Sequence, residues 1–442
     1  MSGFVPNPES ARREMLDALG VASASELFNA VPQHIRMDRP LDLPPGKSEA
    51  DTLDVMRGLA GKNQVFKTMF RGAGAYRHYI PSVVKRIAAK EEFVSAYTPY
   101  QAEISQGLLQ CIFEFQTMIC ELTGMDAANA SVYDGAVAAA ESVAMCRDAK
   151  RSKVVVSQAI HPHVLETMRT YCSRAGATLV VAPHKNGATD LGALKALVDD
   201  GTACVFIQQP NFFGQIEDAK QAGDITHRGG AKFVMVANPI AMAILAPPGE
   251  CGADVAVGEG QPLGLPLSFG GPYLGFMACR RELLRKLPGR IVGETLDRRG
   301  ERAFVLTLQA REQHIRREKA SSNICTNQAL CALTASVYMA VMGQGGMRDA
   351  AGQCMSKAMY LFKNLTRVKG FEPVFGGPFF HEFVTRCPVP PDRLERILEE
   401  RGILGGLPLG SELDGCILWC ATERNTKQEI DDLVDAVGRC AI

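Results

Sequence analysis

The position best placed for chemistry lies in a glycine-rich segment, 253–278. In it, a β-branched run leads towards Gly270-Gly271-Pro272. If that run is a strand of a parallel sheet, the segment lies at a carboxyl end, where such sheets bind ligands. The segment contains Gln261 but no lysine, cysteine or histidine. Because a glutamine amide is not a nucleophilic amine, the segment has the position of a ligand site without the amine that carbonyl chemistry needs.

A second polar stretch, 95–107, is interrupted by proline and precedes an amphipathic helix predicted over 108–123. It contains Tyr97, Tyr100, Gln101 and Glu103, side chains that can hydrogen-bond a substrate. We expect this loop to contribute to an active site. The alternative interpretation is a connector whose polar residues cap the helix.

Three other segments could bind ligands but favour structural roles. Asp134 stands at the N-cap of a helix predicted over 136–149, where its carboxylate would accept the N–H bonds that a phosphate needs. His161 and His163 flank a helix start, where capping or stacking is favoured over a metal pair. The charged segment 309–320, with Arg311 and His314, is typical of a solvated helix face.

Composition narrows the classes of function. The chain has 442 residues, with 48 basic and 48 acidic side chains and no basic stripe, which argues against a nucleic-acid partner. There is no signal-peptide pattern and no apolar run of the ~18 residues that span a bilayer, so we expect a cytoplasmic protein. The 14 cysteines form no C-x-x-C pair, the nearest approach being Cys416 and Cys420, and we expect no metal site.

The elements that must position these residues alternate from residue 153 onwards. Strands are predicted over 153–157, 178–182, 204–208, 232–236 and 254–257, with helices between several of them. This order predicts an α/β domain with a mainly parallel sheet. We expect a helical arm over 1–60, the α/β domain over 61–345 and a small α+β domain over 346–442.

Five segments together resemble one enzyme family, the glycine-decarboxylating P protein of the glycine cleavage system. They are GAGAYRHYIP (72–81), YTPYQAEISQGLLQ (97–110), NASVYDGA (129–136), LSFGGPYLGF (267–276) and REQHIRREKASSNICTNQAL (311–330). The resemblance spans nearly the whole chain and is to the N-terminal half, which forms a separate subunit where that enzyme is split. It implies the aminotransferase-like fold type I of pyridoxal-phosphate enzymes.

The resemblance also implies that this chain lacks the groups that hold the cofactor. Gln261 stands where the catalytic half of the family carries its Schiff-base lysine, and Asn238 stands where an aspartate would pair with the pyridine nitrogen. Asp134 lies where the phosphate would bind. We therefore expect no cofactor-binding residue in this chain, and pyridoxal phosphate held by a homologous partner subunit.

The implied assembly is a heterotetramer that decarboxylates glycine and passes the aminomethyl group to the lipoyl group of the H protein. In it, Tyr97, Tyr100, Gln101 and Glu103 would contribute to the partner's active site, and Arg311 and His314 would lie at the interface and its channel. Two alternatives stay open. The chain could be an autonomous pyridoxal-phosphate enzyme, such as an aminotransferase or aldolase, or a purely structural pseudoenzyme that stabilises its partner.

Overall fold

The structure is a computed structural model that describes residues 8–37, 39–94, 98–410 and 413–440. Contacts divide the chain into two units, Met1–Gln64 and Val65–Ile442. The first unit has helices α1 (Glu9–Leu19) and α2 (Glu49–Ala60), with 3-10 turns at Ala24–Phe28 and Gln33–Ile35. Gly20, in a left-handed conformation with φ 68°, ends α1, and the Ser48 hydroxyl accepts the Asp51 N–H to begin α2. None of these helical residues is buried.

The helices of the second unit lie on both sides of its main sheet and in the C-terminal part of the chain. They are α3 (Ser82–Ala88), α4 (Glu91–Val94), α5 (Gln106–Thr123), α6 (Gly135–Cys146), α7 (Pro162–Ala175), α8 (Leu191–Leu197), α9 (Ala219–Arg228), α10 (Gln313–Arg316), α11 (Ala329–Leu365), α12 (Pro391–Glu399) and α13 (Lys427–Cys440).

The strands of this unit form one large sheet and several small ones. They are β1 (Thr68–Met69), β2 (Ala127–Ala128), β3 (Lys153–Ser157), β4 (Thr178–Ala182), β5 (His184–Lys185), β6 (Ala188–Thr189), β7 (Thr202–Gln209), β8 (Lys232–Ala237), β9 (Val255–Glu259), β10 (Gly275–Cys279), β11 (Val292–Leu296), β12 (Arg302–Leu306), β13 (Glu372–Pro373), β14 (Glu382–Arg386), β15 (Ile403–Leu404), β16 (Leu407–Pro408) and β17 (Cys416–Cys420).

The large sheet has the order β2-β10-β9-β8-β7-β3-β4 within the described residues. Neighbours from β9 to β4 pair in parallel, while β10 is antiparallel to both β9 and β2. Alternate side chains enter two cores, so that Ala256 faces one and Val255 and Val257 face the other. The prediction of an α/β fold with a mainly parallel sheet is confirmed. The carboxyl ends of the parallel strands all lie at the same edge of the sheet.

The C-terminal lobe is an antiparallel sheet of order β13-β14-β17-β16 that packs with α12 and α13. Its core surrounds the fully buried Trp419, whose indole N–H donates to the Thr385 hydroxyl at 2.9 Å. The predicted α+β character of this lobe is therefore observed. The predicted boundaries at residues 60 and 345 stay predictions.

Helix α11 connects the two cores. Among the described residues it is the one helix long and apolar enough, by length and composition, to cross a membrane. Its backbone leaves the helical conformation at Gly343 (φ 58°, ψ −179°). Tyr338, before that kink, packs into the core of the large sheet, and Leu361 and Leu365 pack into the C-terminal lobe. The two ends of α11 therefore contribute to different cores of the second unit.

Candidate functional site

A cavity of about 380 Å³ opens where strands β7, β8 and β9 end. We name it the sheet-edge cavity. Its walls are residues 73–76 after β1, residues 134–136 at the start of α6, His161 and His163 at the start of α7, and Gln208, Ala237, Asn238 and Glu259 from the strand ends. It therefore lies where the sequence placed a ligand site.

Gln261 is buried beside this cavity, with 1 % of its surface exposed, and its amide is fully engaged. Its Oε1 accepts the N–H of Tyr76 at 2.9 Å, and its Nε2 donates to the carbonyl oxygens of Tyr76 at 2.9 Å and Leu265 at 2.8 Å. The two bonds to Tyr76 join loops that are 185 positions apart in the chain. The residue acts as a structural link between loops.

Two carboxylates occupy the N-terminus of α6. Glu259 accepts the N–H groups of Gly135, Gln261 and Leu274, each at 3.0 Å, and Asp134 accepts that of Val137 at 2.8 Å, which confirms the predicted N-cap. Burial raises the pKa of Glu259 to about 7, against the opposite effect of the three N–H donors. Two N–H groups of the first helical turn, those of Gly135 and Val137, therefore already have carboxylate partners, and the two carboxyl groups stand where a phosphate would bind.

The lining does not fit pyridoxal phosphate. That group needs free N–H groups for its phosphate, a carboxylate for its ring nitrogen and an amine for its aldehyde. At the end of β8 stands Asn238, whose Oδ1 accepts the N–H groups of Ile240 at 2.9 Å and Ala241 at 3.1 Å. Within the described residues, no lysine or arginine lines the cavity.

A buried carboxyl group supports the loop that closes the cavity. Glu382 accepts the hydroxyl of Tyr76 at 2.8 Å and the N–H of Ala73 at 2.6 Å. Burial raises the pKa of Glu382 to about 7, and burial together with the charge of Glu382 raises the pKa of Tyr76 well above its usual value. The pair fixes this loop against the C-terminal lobe.

The structure places Tyr100 away from this cavity, in a second polar group that we name the Tyr100–Glu312 cluster (Tyr100, Arg290, Arg311, Glu312 and Asn327). The Tyr100 hydroxyl donates to Oδ1 of Asn327 at 2.6 Å, and the guanidinium of Arg290 lies 5.0 Å from the Tyr100 ring centre. Burial raises the pKa of Tyr100. Asn327 in turn donates to the Ala130 carbonyl and the Ser131 hydroxyl, just before α6.

Glu312 is the centre of this cluster. It is 6 % exposed and pairs with Arg290, while His314, which is exposed, lies 3.6 Å away through Nδ1. Arg311 donates to the Gly289 carbonyl at 2.7 Å, and burial lowers its pKa. The prediction of a solvated face holds for residues 313–319, which are exposed, but it is wrong at Glu312, which is buried, and at Arg311, which is partly buried. The segment forms several short helical turns rather than one helix.

The remaining predicted residues divide by exposure. Gln101 and Glu103 are exposed, and Tyr97 lies outside the described residues. His161 has a structural role: its Nδ1 accepts the N–H of His163 at 3.1 Å, and its Nε2 lies 2.8 Å from the Ala73 carbonyl oxygen. The capping interpretation of this histidine pair is thus observed.

Sequence reasoning missed three members of the Tyr100–Glu312 cluster, namely Arg290, Glu312 and Asn327. Arg290 follows Pro288-Gly289 and pairs with a residue 22 positions later, across the β11–β12 hairpin. No local periodicity signals such a pair. The available signal was the concentration of charge in 309–320, which was interpreted as solvated.

Comparison with known proteins identifies relatives along the full chain. The family model described as glycine cleavage system P-protein matches residues 2–437. A curated relative from Moorella thermoacetica, named probable glycine dehydrogenase (decarboxylating) subunit 1, is 51 % identical over 438 residues, covering 98 % of each chain.

Solved structures agree with this result. A crystal structure of glycine decarboxylase (P-protein) of the glycine cleavage system, in inhibitor-bound form, superposes with a TM-score of 0.92 at 43 % identity, covering 99 % of this chain and 100 % of that one. A C-DES mutant with glycine covalently linked to its PLP cofactor superposes with a TM-score of 0.63 at 15 % identity, covering 86 % of this chain and 97 % of that one. The second likeness shows the fold alone.

Proposed function

The chain belongs to the glycine cleavage system P-protein family, and we propose that it is the subunit of a two-chain glycine decarboxylase that does not hold the cofactor. Pyridoxal phosphate is held by a homologous partner subunit that carries the lysine. Together the two chains decarboxylate glycine and transfer the remaining aminomethyl group to the lipoyl disulfide of the H protein, which is reduced as it accepts the group. The assembly is a heterotetramer in the cytoplasm.

The observation on which this proposal depends is that a hydrogen-bonded glutamine, Gln261, stands where a lysine is expected. A lysine amine at this position would form the covalent link to the cofactor. The glutamine amide is instead saturated by the backbone of Tyr76 and Leu265. The carboxylates of Glu259 and Asp134 at the start of α6, and the amide of Asn238 after β8, support the same conclusion.

The contribution of this chain to the partner's active site is proposed for the loop of Tyr97, Tyr100, Gln101 and Glu103. Tyr100 does not line the sheet-edge cavity and bonds Asn327, and Gln101 and Glu103 are exposed. Arg311 and His314 are proposed to lie at the interface and its channel.

An exposed aromatic side chain in the glycine-rich loop supports an obligate partner. Phe269 is 90 % exposed and has φ 45°, a left-handed conformation that costs a bulky residue about 1 kcal/mol or more. A strained, solvent-exposed phenylalanine is stabilised when a second chain buries it. Burial of a phenylalanine side chain contributes roughly 2 kcal/mol.

The cofactor assignment is tested on the purified chain and on the chain assembled with its partner. Each is incubated with pyridoxal phosphate, reduced with borohydride and digested for mass spectrometry. We expect a reduced adduct on a partner lysine and none in stoichiometric amount on this chain. Stoichiometric labelling of a lysine in the isolated chain, with turnover of amino acids, would establish the autonomous enzyme instead.

The contribution of the loop is tested in the assembled complex. We expect separate Tyr97→Phe, Tyr100→Phe and Glu103→Gln variants to lower the rate of glycine decarboxylation while the complex still assembles, as judged by light scattering. Normal kcat and KM in all of them would favour the purely structural partner.

A further inference from the structure

Three side chains of types that can bind a metal come from distant parts of the chain and lie close together beside the end of β17. His78 lies before α3, Cys354 lies on α11, and Glu423 follows β17. One ligand atom from each lies within 4.8 Å of the other two. Nδ1 of His78 is 2.8 Å from Oε2 of Glu423, and the Cys354 thiol donates to the same oxygen at 3.1 Å.

Unpartnered imidazole nitrogens lie at the same place. The His78 side chain is 2 % exposed, yet its Nε2 has no hydrogen-bond partner among the described residues. His381 is 1 % exposed, and both of its ring nitrogens lack partners there. Its ring is nearly parallel to that of His78, with the centroids 6.4 Å apart. Because buried polar atoms are almost always satisfied, this group of unused donor atoms points to a ligand.

We propose that His78, Cys354 and Glu423 form a binding site for a divalent transition metal of the Zn²⁺ class. An imidazole nitrogen, a thiolate and a carboxylate are the donor types that Zn²⁺ takes. In a tetrahedral zinc site, with bonds of about 2.0 to 2.3 Å, ligand atoms lie roughly 3.3 to 3.8 Å apart. To reach this range, Nδ1 of His78 and Oε2 of Glu423 need to separate by about 0.5 Å or more, and the Cys354 sulfur and the same oxygen by about 0.2 Å or more. Binding forms the metal–sulfur bond and releases the thiol proton to solvent.

A cavity at the surface reaches Glu423, one of the three proposed ligands. A cavity of about 440 Å³, lined among others by Tyr79, Gln353, Glu423 and Arg424, opens beside the carboxylate. It would admit the ion and a water molecule for its fourth position. The site does not depend on the proposed function, because none of its ligands lines the sheet-edge cavity.

Such an ion would connect three segments that the chain brings together only on folding. His78 and Glu423 are 345 positions apart, and Cys354 and Glu423 are 69 apart. Local spacing therefore gives no signal of this site, which contains a single cysteine and no C-x-x-C pair. The expected consequence of binding is a gain in stability, because metal that binds only the folded chain shifts the unfolding equilibrium.

The test uses the full chain, stripped with a chelator and titrated with Zn²⁺ by calorimetry and with Co²⁺ by absorption. We expect one Zn²⁺ per chain, a rise in Tm and a thiolate-to-Co²⁺ charge-transfer band. Cys354→Ala should remove the band and weaken Zn²⁺ binding by roughly 100-fold or more, since loss of a ligand exceeds the effect of outer partners. Glu423→Gln should weaken binding in the same way.

Two cysteine variants serve as controls. Cys331→Ala changes a half-buried thiol on the same helix, and Cys325→Ala removes an exposed thiol that could bind metal adventitiously. Both should keep the band and the affinity. Before titration, each metal-free variant is shown to be folded by its cooperative unfolding transition. Equal Zn²⁺ affinity in wild type and Cys354→Ala, or loss of the signal in Cys325→Ala, would overturn the proposal.

Discussion

The sheet-edge cavity and the Tyr100–Glu312 cluster differ in how their polar atoms are used. At the cavity, the side-chain oxygens of Gln261 and Glu259 accept hydrogen bonds from backbone N–H groups of the same chain. In the cluster, buried atoms are left over: Nε of Arg290, Nε of Arg311 and Oε1 of Glu312 have no partner among the described residues. One region is closed by its own hydrogen bonds, and the other keeps unused donors and an acceptor.

The difference indicates where chemistry can still occur on this scaffold. A saturated polar group cannot bind a ligand without losing existing hydrogen bonds, each contributing about 1 kcal/mol. An unsatisfied buried group gains by meeting a partner, because its desolvation has already been incurred. The comparison therefore supports the proposal that this chain does not hold the cofactor, and it singles out the Tyr100–Glu312 cluster as the polar group to test for a role in the assembled complex.

The strongest challenge to this comparison is to restore an amine in the cavity. Gln261→Lys removes the oxygen that accepts the Tyr76 N–H and buries an ammonium beside that N–H, whose hydrogen carries a partial positive charge. We expect the free energy of unfolding to fall by about 4 kcal/mol and no cofactor to bind covalently. Urea denaturation and borohydride trapping measure the two effects.

The matched control is Gln428→Lys, on the exposed face of α13, where Gln428 bonds Asp432 one turn away. It should change stability by no more than about 0.5 kcal/mol. If Gln261→Lys is as stable as this control and is trapped with the cofactor, the cavity is not closed and the comparison fails.

Removing the buried cation of the cluster should have the next largest effect. Arg290→Ala leaves Glu312, whose side chain is 4 % exposed, without its ion-pair partner. We expect a loss of about 3 kcal/mol in the free energy of unfolding by urea. The exposed pair of Arg57 and Asp54 is the comparison, because both side chains are about three-quarters exposed and Arg57→Ala should lose less than about 0.5 kcal/mol. Equal losses in the two variants would contradict the buried role of Arg290.

Glu382, which supports the loop beside the sheet-edge cavity, should make the free energy of unfolding depend on pH. Burial raises its pKa from 4.5 to about 7, so the folded chain retains a proton that the unfolded chain loses between these values. Stability due to this group should therefore fall as the pH rises from 4.5 to 7, by at most about 3 kcal/mol. Glu382→Gln should flatten this dependence in urea unfolding measured across that window. Glu372→Gln, at an exposed position on the neighbouring strand β13, should leave this dependence unchanged. If stability instead fell more steeply with pH in Glu382→Gln than in the wild type, the predicted direction of the effect would be wrong.

The fold was predictable because its signals are local. Strands β3 and β4 match the predicted ranges, since a run of β-branched residues between helical segments specifies a buried parallel strand. Helix α9 and the β11–β12 hairpin were missed. The hairpin is exposed along much of its length and carries charged residues, so it lacks the apolar alternation by which strands are recognised.

The site was predictable only where one residue's type decides its chemistry. Asn238 directly follows β8 and Gln261 lies two residues after β9. The sequence shows that neither position carries an amine or a carboxylate, and the family resemblance is what indicated that these groups are expected there. The hydrogen bonds that saturate Gln261 could not, because they reach Tyr76, which is 185 positions away. Burial of Glu312 depends likewise on its pairing with Arg290, which only the folded chain brings about.

The smallest expected effect distinguishes a role in the reaction from a role in the fold. Tyr100→Phe removes one hydroxyl and its 2.6 Å bond to Asn327. Tyr360→Phe removes a similar bond, of 2.8 Å to Asp431, in the C-terminal lobe. Each should lower the free energy of unfolding by about 1 kcal/mol, since each loses one partly buried hydrogen bond.

Only Tyr100→Phe should then lower kcat/KM of the assembled complex for glycine, by roughly 10-fold, which corresponds to about 1.4 kcal/mol in the transition state. Steady-state decarboxylation with saturating partner and H protein measures this difference. If both variants lose equal activity, the loss reflects stability, and the cluster supports the fold alone. If Tyr100→Phe alone is impaired, its hydroxyl acts beyond this chain, because its own sheet-edge cavity lies elsewhere.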